Sequence, residues 1–289
     1  METIKIDNDK CILCGSCADV CVQKILNYSP EAINTVSPER CILCGHCKAV
    51  CPENAIEFPS LNSQEFIHVP DKESFPSPDS LLNFFRYRRS TRKYKEIPVE
   101  KAKIEKIIEA GRFAPIGGNL QALRYVVANN PEKIDEIRGI AIDGLIRYAN
   151  DINNKLSIKE KSGKSFSIAD TIQQNYARML RDMKSSANNT DTLLWKAPAL
   201  IVTHVSKLVD SPGVDVGLSA MQMVLMAEAL GLGTCFLGLI VMAAEHSPEL
   251  KKALLIPENH RIVTAFVTGY PDISYLKLVS RKTAKVRWL

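Results

Sequence analysis

The sequence has 289 residues, of which 46% are hydrophobic and 24% charged, and its formal net charge at pH 7 is +5. This composition is typical of a globular, soluble protein. The positive charge is weak support for nucleic-acid binding, because no stripe of Arg and Lys with interleaved aromatic residues accompanies it.

Eight of the nine cysteines stand in two matching runs, CILCGSCADVC at 11–21 and CILCGHCKAVCP at 41–52. Each run has the spacing C-x-x-C-x-x-C-x-x-x-C. Three thiolates two residues apart surround one face of an iron–sulfur cube, and the fourth usually ligates the other cluster. The spacing therefore predicts two [4Fe–4S] clusters, one held by Cys11, Cys14, Cys17 and Cys51 and the other by Cys41, Cys44, Cys47 and Cys21.

Disulfides and zinc sites are the two other readings of these runs. Disulfides need an oxidising compartment, and the sequence opens without a signal-peptide pattern. Zinc sites use C-x-x-C pairs but take four ligands per metal, not a third cysteine at the same short step twice over. The repeated motif therefore favours clusters.

Residues 1–58 resemble the bacterial two-cluster ferredoxins. An internal repeat of about thirty residues fits the pseudo-twofold shape of that family, although Val22 stands where the second run has Pro52. So small a segment has too little apolar mass for a stable core of its own, and the clusters would supply the missing cross-links.

After this segment the sequence predicts a linker and then a larger domain. Residues 59–80 are rich in proline and lack a steady period, which indicates an interdomain linker. A helix is predicted from Pro78, with Ser77 as its cap, and a second one over 99–110 that stops at Gly111.

The rest of the second domain, 81–289, mixes helices and strands without a regular βαβ order, which predicts an α+β fold. Strands are predicted at 124–129, 198–205, 234–240 and 261–270, and a buried helix at about 215–230. A polar, lysine-rich insertion is predicted at 143–192, with a helix near 168–183. The apolar stretch 217–244 is long enough to span a membrane, but polar residues and a Gly-x-Gly break within it favour a buried helix and strand.

Two motifs of this domain suggest a ligand. RRSTRKY at 88–94 places Arg88, Arg89, Ser90 and Arg92 close together, a set suited to a phosphate or, alternatively, to a solvated basic corner. APIGGNLQ at 114–121 combines a Gly-Gly turn with the amides of Asn119 and Gln121. GLGTCFLG at 231–238 is not a dinucleotide fingerprint, because it follows a helix, enters a strand and has Phe236 in place of the last glycine.

The order of these motifs, together with G-Y-P at 269–271 and a late R-K, resembles the flavin-dependent nitroreductase family over residues 81–289. The ferredoxin-like segment in front is similar to the branch of that family with a fused two-cluster domain. The resemblance implies a mixed, antiparallel sheet surrounded by helices, and non-covalent FMN at the interface of a homodimer.

The resemblance also implies roles for individual residues. The FMN phosphate and ribityl chain would be held by the Arg-rich motif (Arg88, Arg89, Ser90 and Arg92). Asn119, with Gln121 beside it, would bond the flavin ring, and Leu237 and Gly238 would present backbone amides near its N5 edge. Arg281 or Lys282 would reach the phosphate, and no catalytic side chain is assigned.

We therefore expect an FMN- and iron–sulfur-dependent oxidoreductase that reduces a small organic acceptor with electrons from NAD(P)H or a ferredoxin-type donor. The alternatives are a non-enzymatic electron carrier or redox sensor that docks a protein partner, and a flavin-free structural use of the fold. No nucleic-acid or membrane partner is expected, and oxygen-sensitive clusters predict a cytoplasmic, anaerobic setting.

Several polar or reactive residues are expected to be structural. Cys235 lies in an apolar strand and is expected to be a packed side chain. His46 beside a cluster ligand is expected at the surface, and His204, His246 and His260 lack the spacing of a metal motif.

Overall fold

The computed structural model describes residues 3–186 and 191–289. The chain divides into two compact units, the first formed by Met1–Ser77 and Ile116–Leu120 and the second by Pro78–Pro115 and Gln121–Leu289. Residues 187–190 of the predicted 143–192 insertion lie outside the described residues. Among the described residues, no helix combines the length and apolar character that a membrane crossing requires.

The first unit consists of two short antiparallel ribbons and two short helices. Its elements are β1 (Lys5–Ile6), α1 (Ser16–Asp19), β2 (Leu26–Tyr28), β3 (Ile33–Thr35), α2 (His46–Val50) and β4 (Ile56–Glu57). β1 pairs with β4 and β2 pairs with β3. The small apolar core includes the side chains of Cys17 and Cys47, so two predicted cluster ligands are part of the packing that holds this unit together.

The sequence repeat of the first unit is also a repeat of backbone conformation. Leu13 and Leu43 have φ values of 55° and 53°, and Gly15 and Gly45 have φ values of 78° and 75°. Left-handed φ is costly for leucine. Its occurrence at equivalent places shows that both cysteine loops wind in the same way.

The second unit contains a four-stranded sheet and seven helices among its described residues. In chain order these are α3 (Pro78–Tyr87), α4 (Lys101–Arg112), β5 (Arg124–Ala128), α5 (Pro131–Lys161), α6 (Ile168–Ser186), β6 (Ala199–Ser206), α7 (Pro212–Ala229), β7 (Gly233–Phe236), α8 (Gly238–Glu245), α9 (Pro248–Ala253) and β8 (His260–Gly269). The strand order is β5-β6-β8-β7, with every neighbouring pair antiparallel. This confirms the predicted α+β class.

The sheet is buried on both faces, as the strand β6 shows. Leu200 and Val202 pack with α5, α6 and α8, whereas Ala199 and Ile201 pack with α4 and α7. Successive side chains of a strand point to opposite faces. A strand that is apolar at every position therefore lies between two helical layers.

Three details of the predicted elements are wrong. The strand predicted at 234–240 ends at Phe236, and α8 begins at Gly238. Gly111 does not stop its helix, which continues to Arg112; a Cβ at Gly111 would lie 2.6 Å from Met223, so this glycine permits close packing of α4 on α7. The region 143–192 is not simply a polar insertion, because it begins inside α5 and its helices contribute buried residues such as Leu145 and Leu180.

Candidate cofactor sites

The first unit brings the first set of predicted cluster ligands to a single cavity. This cavity is lined by Cys11, Cys14, Cys17 and Cys51, and we call these four residues the first cage. Burial raises the pKa of Cys17, and the neighbouring Cys11 and Cys14 raise it further. Cys51, the fourth cysteine of this cavity, comes from the other end of the repeat, where the spacing predicts the fourth ligand.

The second set of ligands surrounds a separate cavity. It is lined by Cys21, Cys41, Cys44 and Cys47, which we call the second cage. The pKa of Cys47 is raised to about 12, first by burial and then by the charges of Cys44, Cys21 and Cys41. Like charges that act on one another in this way must lie close together.

The donor set of each cage fits a cubane cluster better than a single ion. Four thiolates are the ligands of a [4Fe–4S] cluster. No three His, Cys, Asp or Glu residues in the described ranges are arranged for one metal ion. A cluster of four irons requires thiols that surround a cavity, whereas a single ion requires ligands that converge on one point.

In the second unit, the segment that follows α3 runs beside the edge strand β7. Ser90 forms a parallel bridge with Thr234, and the N–H of Thr91 donates to the Thr234 carbonyl at 2.8 Å. Gly233 makes this approach possible, because a Cβ there would lie 2.4 Å from Thr91 Oγ1. The pairing places the Arg-rich motif along β7.

The motif residues converge on the thiol of Cys235. Burial raises the pKa of this thiol, while Arg92, Ser90 and Arg88 act to lower it through charge and hydrogen bonds. Arg88 also opposes the rise in the pKa of Glu228 that burial causes. The guanidinium groups of Arg88 and Arg92 and the hydroxyl of Ser90 therefore lie near one another, around Cys235.

This region fits an anionic ligand. Arg88 Nε is buried and has no hydrogen-bond partner within residues 3–186 and 191–289. A buried donor without a partner is costly, and a phosphate oxygen is a strong acceptor for guanidinium. The residues present are thus compatible with the phosphate of FMN.

The remaining residues of the Arg-rich motif differ in their surroundings. Arg92 is exposed, and its guanidinium lies 5.5 Å from the centroid of the Trp195 ring. Arg89 lies 4.8 Å from the centroid of the Tyr275 ring. Cation–π contacts of this kind hold a guanidinium in place without satisfying its N–H groups.

Asn119 and Gln121 lie in a loop of unusual backbone conformation, with φ values of 52° and 47°. Asn119 belongs to the first unit, where its Nδ2 donates to the carbonyls of Ile42 and Leu43 at 2.8 and 2.9 Å. Gln121 is exposed, and its carbonyl accepts from Arg124. The amide of Asn119 is therefore bonded to a cysteine loop of the second cage, and its role toward a flavin stays a prediction.

The amides expected at the N5 edge are not equivalent. The N–H of Leu237 already donates to the Ala265 carbonyl at 2.8 Å. Gly238 is the first residue of α8, where N–H groups lack partners within the helix. Gly238 therefore fits the expected role better than Leu237.

Arg281 and Lys282 are exposed and lie beyond β8. Arg281 donates to the carbonyl of its neighbour Ser280 at 3.1 Å. Within the described part of the chain, neither residue forms a hydrogen bond or an ion pair with the Arg-rich motif. Their role toward the phosphate stays a prediction.

Two features were not anticipated from sequence. A cavity of about 560 Å³ in the second unit is lined by residues including Glu96, Asp135 and Lys196, but by none of the predicted site residues. His204 and His260 join through their Nδ1 atoms at 2.8 Å. Because these histidines lie on neighbouring strands 56 residues apart, no local motif could have paired them.

Comparison with known proteins identifies relatives of both units. The model of the nitroreductase family matches residues 85–270, and that of the 4Fe–4S dicluster domain matches residues 3–52. The NADPH-flavin oxidoreductase of Vibrio harveyi is 26% identical over 184 residues, which cover 64% of this chain and 62% of the relative. An NADPH-dependent oxidoreductase of Staphylococcus saprophyticus is 23% identical over 198 residues, which cover 67% of this chain and 66% of the relative.

The chain thus spans 62% and 66% of the length of these two curated relatives. Among solved structures, a nitroreductase with bound FMN from Bacteroides fragilis superposes with a TM-score of 0.52 at 22% identity. The superposition covers 71% of this chain and 94% of that one. At this identity the likeness shows the fold.

Proposed function

The chain belongs to the nitroreductase family, and on this basis we propose that it is an FMN-dependent oxidoreductase with two [4Fe–4S] clusters. The observation that carries the proposal is the pair of four-cysteine cages in a chain whose second unit has the nitroreductase fold. Iron–sulfur clusters and flavins both transfer electrons. Predicted cluster ligands in the same chain as a flavin-binding fold therefore indicate redox chemistry.

Each group of the chain has a definite task in this proposal. Bound FMN exchanges two electrons or one, whereas an iron–sulfur cluster exchanges one at a time. The cages hold the clusters, and Arg88, Ser90 and Arg92 hold the flavin phosphate beside β7. Gly238 offers a backbone N–H to the flavin ring. The protein thus supplies position and polarity, and the cofactors supply the redox chemistry.

The proposed electron donor is NAD(P)H or a ferredoxin-type protein, and the proposed acceptor is a small organic molecule such as a nitroaromatic or a quinone. The names of two relatives refer to NADPH, which supports a nicotinamide donor. The cages support a one-electron donor, because a nicotinamide alone would not require them.

We further propose that the protein is a homodimer. Helix α7 exposes the apolar side chains of Val214, Leu218 and Met221, and α3 exposes those of Leu81 and Phe85. Apolar stripes on two helices are typical of surfaces that a partner covers. Sedimentation equilibrium should give twice the monomer mass of 32.1 kDa; the monomer mass would contradict the proposal.

Cofactor analysis of anaerobically purified protein tests the main proposal. We expect about eight irons, eight acid-labile sulfides and one FMN per chain. NADH, NADPH or dithionite should then sustain turnover of a nitroaromatic. Protein that lacks flavin would refute the proposal that the chain is an FMN-dependent oxidoreductase. Protein that contains flavin but no iron would be consistent with that proposal and would refute the proposed clusters.

A non-enzymatic electron carrier is the second candidate, and one observation favours it. Ile12 and Val22 line the two cage cavities and yet are 60% and 66% exposed. Apolar side chains at the edge of a cluster could contact a protein partner. Fast cluster oxidation by a protein acceptor, with no turnover of small acceptors, would support this candidate over the enzyme.

A further inference from the structure

The segment Ile116–Leu120 belongs to the first unit, although the chain on both sides of it belongs to the second. Its residue Asn119 is half-buried, and its Nδ2 donates to the carbonyls of Ile42 and Leu43 at 2.8 and 2.9 Å. A side-chain amide carries two N–H groups, which matches the two carbonyls. A residue 76 positions beyond Leu43 in sequence therefore holds the loop that separates two cysteines of the second cage.

This loop is part of the second cage. Ile42 lines the cavity of the second cage, as do Cys41 and Cys44 on either side of the loop. The N–H of Leu43 donates to Cys41 Sγ at 3.5 Å. The cavity of the first cage is lined by other residues. The groups that Asn119 contacts therefore assign its amide to the second cage.

Asn119 and the thiol of Cys41 bind opposite ends of one peptide group. The Ile42 carbonyl accepts from Asn119, and the Leu43 N–H donates to Cys41 Sγ. The planar bond between residues 42 and 43 joins this carbonyl to this N–H. A hydrogen bond to the carbonyl of a peptide group polarises its N–H and strengthens the bond that the N–H donates. Asn119 therefore acts on the sulfur of Cys41 through a single peptide group.

The corresponding loop of the first cage shows that this backbone conformation does not depend on an amide. Leu13 and Leu43 have φ values of 55° and 53°. Within residues 3–186 and 191–289, however, no side chain donates to the carbonyl of Ile12 or Leu13, and Ile12 is 60% exposed. Because the loop adopts the same conformation without a bound amide, the effect of Asn119 on the second cage is electrostatic.

We propose that Asn119 is a positioning residue of the second [4Fe–4S] cluster, which it makes easier to reduce through the peptide group between Ile42 and Leu43. Hydrogen bonds to the sulfurs of a cluster are among the factors that set its reduction potential. Reduction adds one electron and thus one negative charge, which an N–H donor stabilises. Groups behind the direct ligands tune metal sites in this way. The inference rests on the proposed function, since the second cage must hold a cluster.

Potentiometric titration of the anaerobic holoprotein, followed by electron paramagnetic resonance, tests the inference. Asn119→Gly removes the amide, and glycine adopts the φ value of 52° at this position without strain. We expect the signal of one cluster to titrate at a more negative potential, while the signal of the other cluster stays. Cys41→Ser, which changes a predicted ligand of the second cage, should move or abolish the same signal. Asn54→Gly is the matched control and should move neither, because Asn54 is an exposed asparagine of the first unit with a φ value of 53°.

Two results would overturn the inference. Both potentials could stay unchanged in Asn119→Gly, and weaker FMN binding by that variant would then assign the amide to the flavin. Alternatively, the potential that moves could be the one that Cys41→Ser leaves untouched. If Asn119→Gly does not assemble clusters, Asn119→Ser decides by the same criterion, because it also removes the amide and lacks the flexibility of glycine.

Iron and sulfide are counted in every sample, which separates this inference from the proposed function. Wild-type protein without clusters would refute the proposed function. Wild-type protein that holds two clusters, with potentials that do not respond to the loss of the Asn119 amide, would refute only this inference.

Discussion

At the scale of single residues, the candidate flavin site depends on groups whose local surroundings leave them incompletely bonded. Arg88 is the clearest case, because its Nε is buried without a partner in the described ranges and its charge acts on both Glu228 and Cys235. A residue in this state is stabilised by a ligand that accepts hydrogen bonds. The motif suggested a phosphate, and burial distinguishes Arg88 from an ordinary surface arginine.

Arg88→Ala should weaken FMN binding by about 10- to 100-fold, which corresponds to the loss of one or two hydrogen bonds to a charged group. Equilibrium dialysis or flavin fluorescence would measure the change. Arg86→Ala is the matched control, because Arg86 is an exposed arginine in the last turn of α3, two residues before Arg88. Equal flavin affinity in both variants would show that Arg88 does not hold the phosphate.

The pair of His204, which is buried, and His260 predicts a pH dependence of stability. Burial first, and then the charges of His260 and Arg124, lower the pKa of His204 to about 4. The unfolded chain binds a proton near pH 6.5, so it holds more protons than the folded state between pH 6.5 and 4. The free energy of unfolding therefore does not depend on His204 above pH 6.5, and it falls by about 1–3 kcal/mol as the pH falls from 6.5 toward 4.

Thermal unfolding of wild type and His204→Gln between pH 7.5 and 4.5 would check this sign. The wild type should lose stability on acidification faster than the variant, because glutamine does not titrate. Parallel curves would show that the pair does not set the pH dependence.

At the scale of elements, the edge of the sheet positions the candidate site. β7 pairs with β8 on one side and receives the segment around Ser90 on the other, so the Arg-rich motif is held by backbone hydrogen bonds. Gly233 lies at the start of β7, where Thr91 leaves no room for a side chain. The position of the Arg-rich motif thus depends on Gly233, because a side chain at that residue would collide with Thr91.

Gly233→Ala should lower stability by about 1–3 kcal/mol, the usual cost of overpacking, and should reduce FMN binding because it displaces the motif. The thermal midpoint, followed by flavin fluorescence, would report both effects. Gly139→Ala is the control, since nothing lies within 4 Å of its Cβ position on α5. That substitution should be neutral or stabilising by up to about 1 kcal/mol.

At the scale of the whole molecule, the two units differ in how they are stabilised. The second unit has a sheet buried on both faces by helices. The first unit has one small cluster of buried residues, to which cysteines contribute. A core of that size rarely supports a fold by itself, so bound clusters would act as its cross-links.

Removal of iron by a chelator under reducing conditions should therefore unfold the first unit and spare the second. Hydrogen exchange by mass spectrometry should show lost amide protection in peptides from residues 3–58, and little change in peptides from β6 and β8. Protection that persists in the iron-free first unit would show that its apolar core suffices.

The spacing of the cysteines predicts how the eight divide between two clusters, because it reflects the dimensions of a cubane cluster and repeats thirty residues later. The structure places the same two sets of cysteines around separate cavities, and their role as ligands stays a prediction. The sequence was enough for the α+β class and for most strands, since a strand buried on both faces must be apolar throughout. Periodicity could not place the end of β7, because a buried strand and the buried helix that follows it are both continuously apolar.

Only the tertiary structure decided which groups meet. Ser90 and Arg92 reach Cys235 from more than 140 residues away, and His204 bonds His260 across two strands. Lys48 is one of many lysines in the sequence, and only the fold buries it. Local composition determines which ligands a segment can hold, whereas burial and charge at a site depend on distant segments that pack against it, and these set the strength of every polar interaction there.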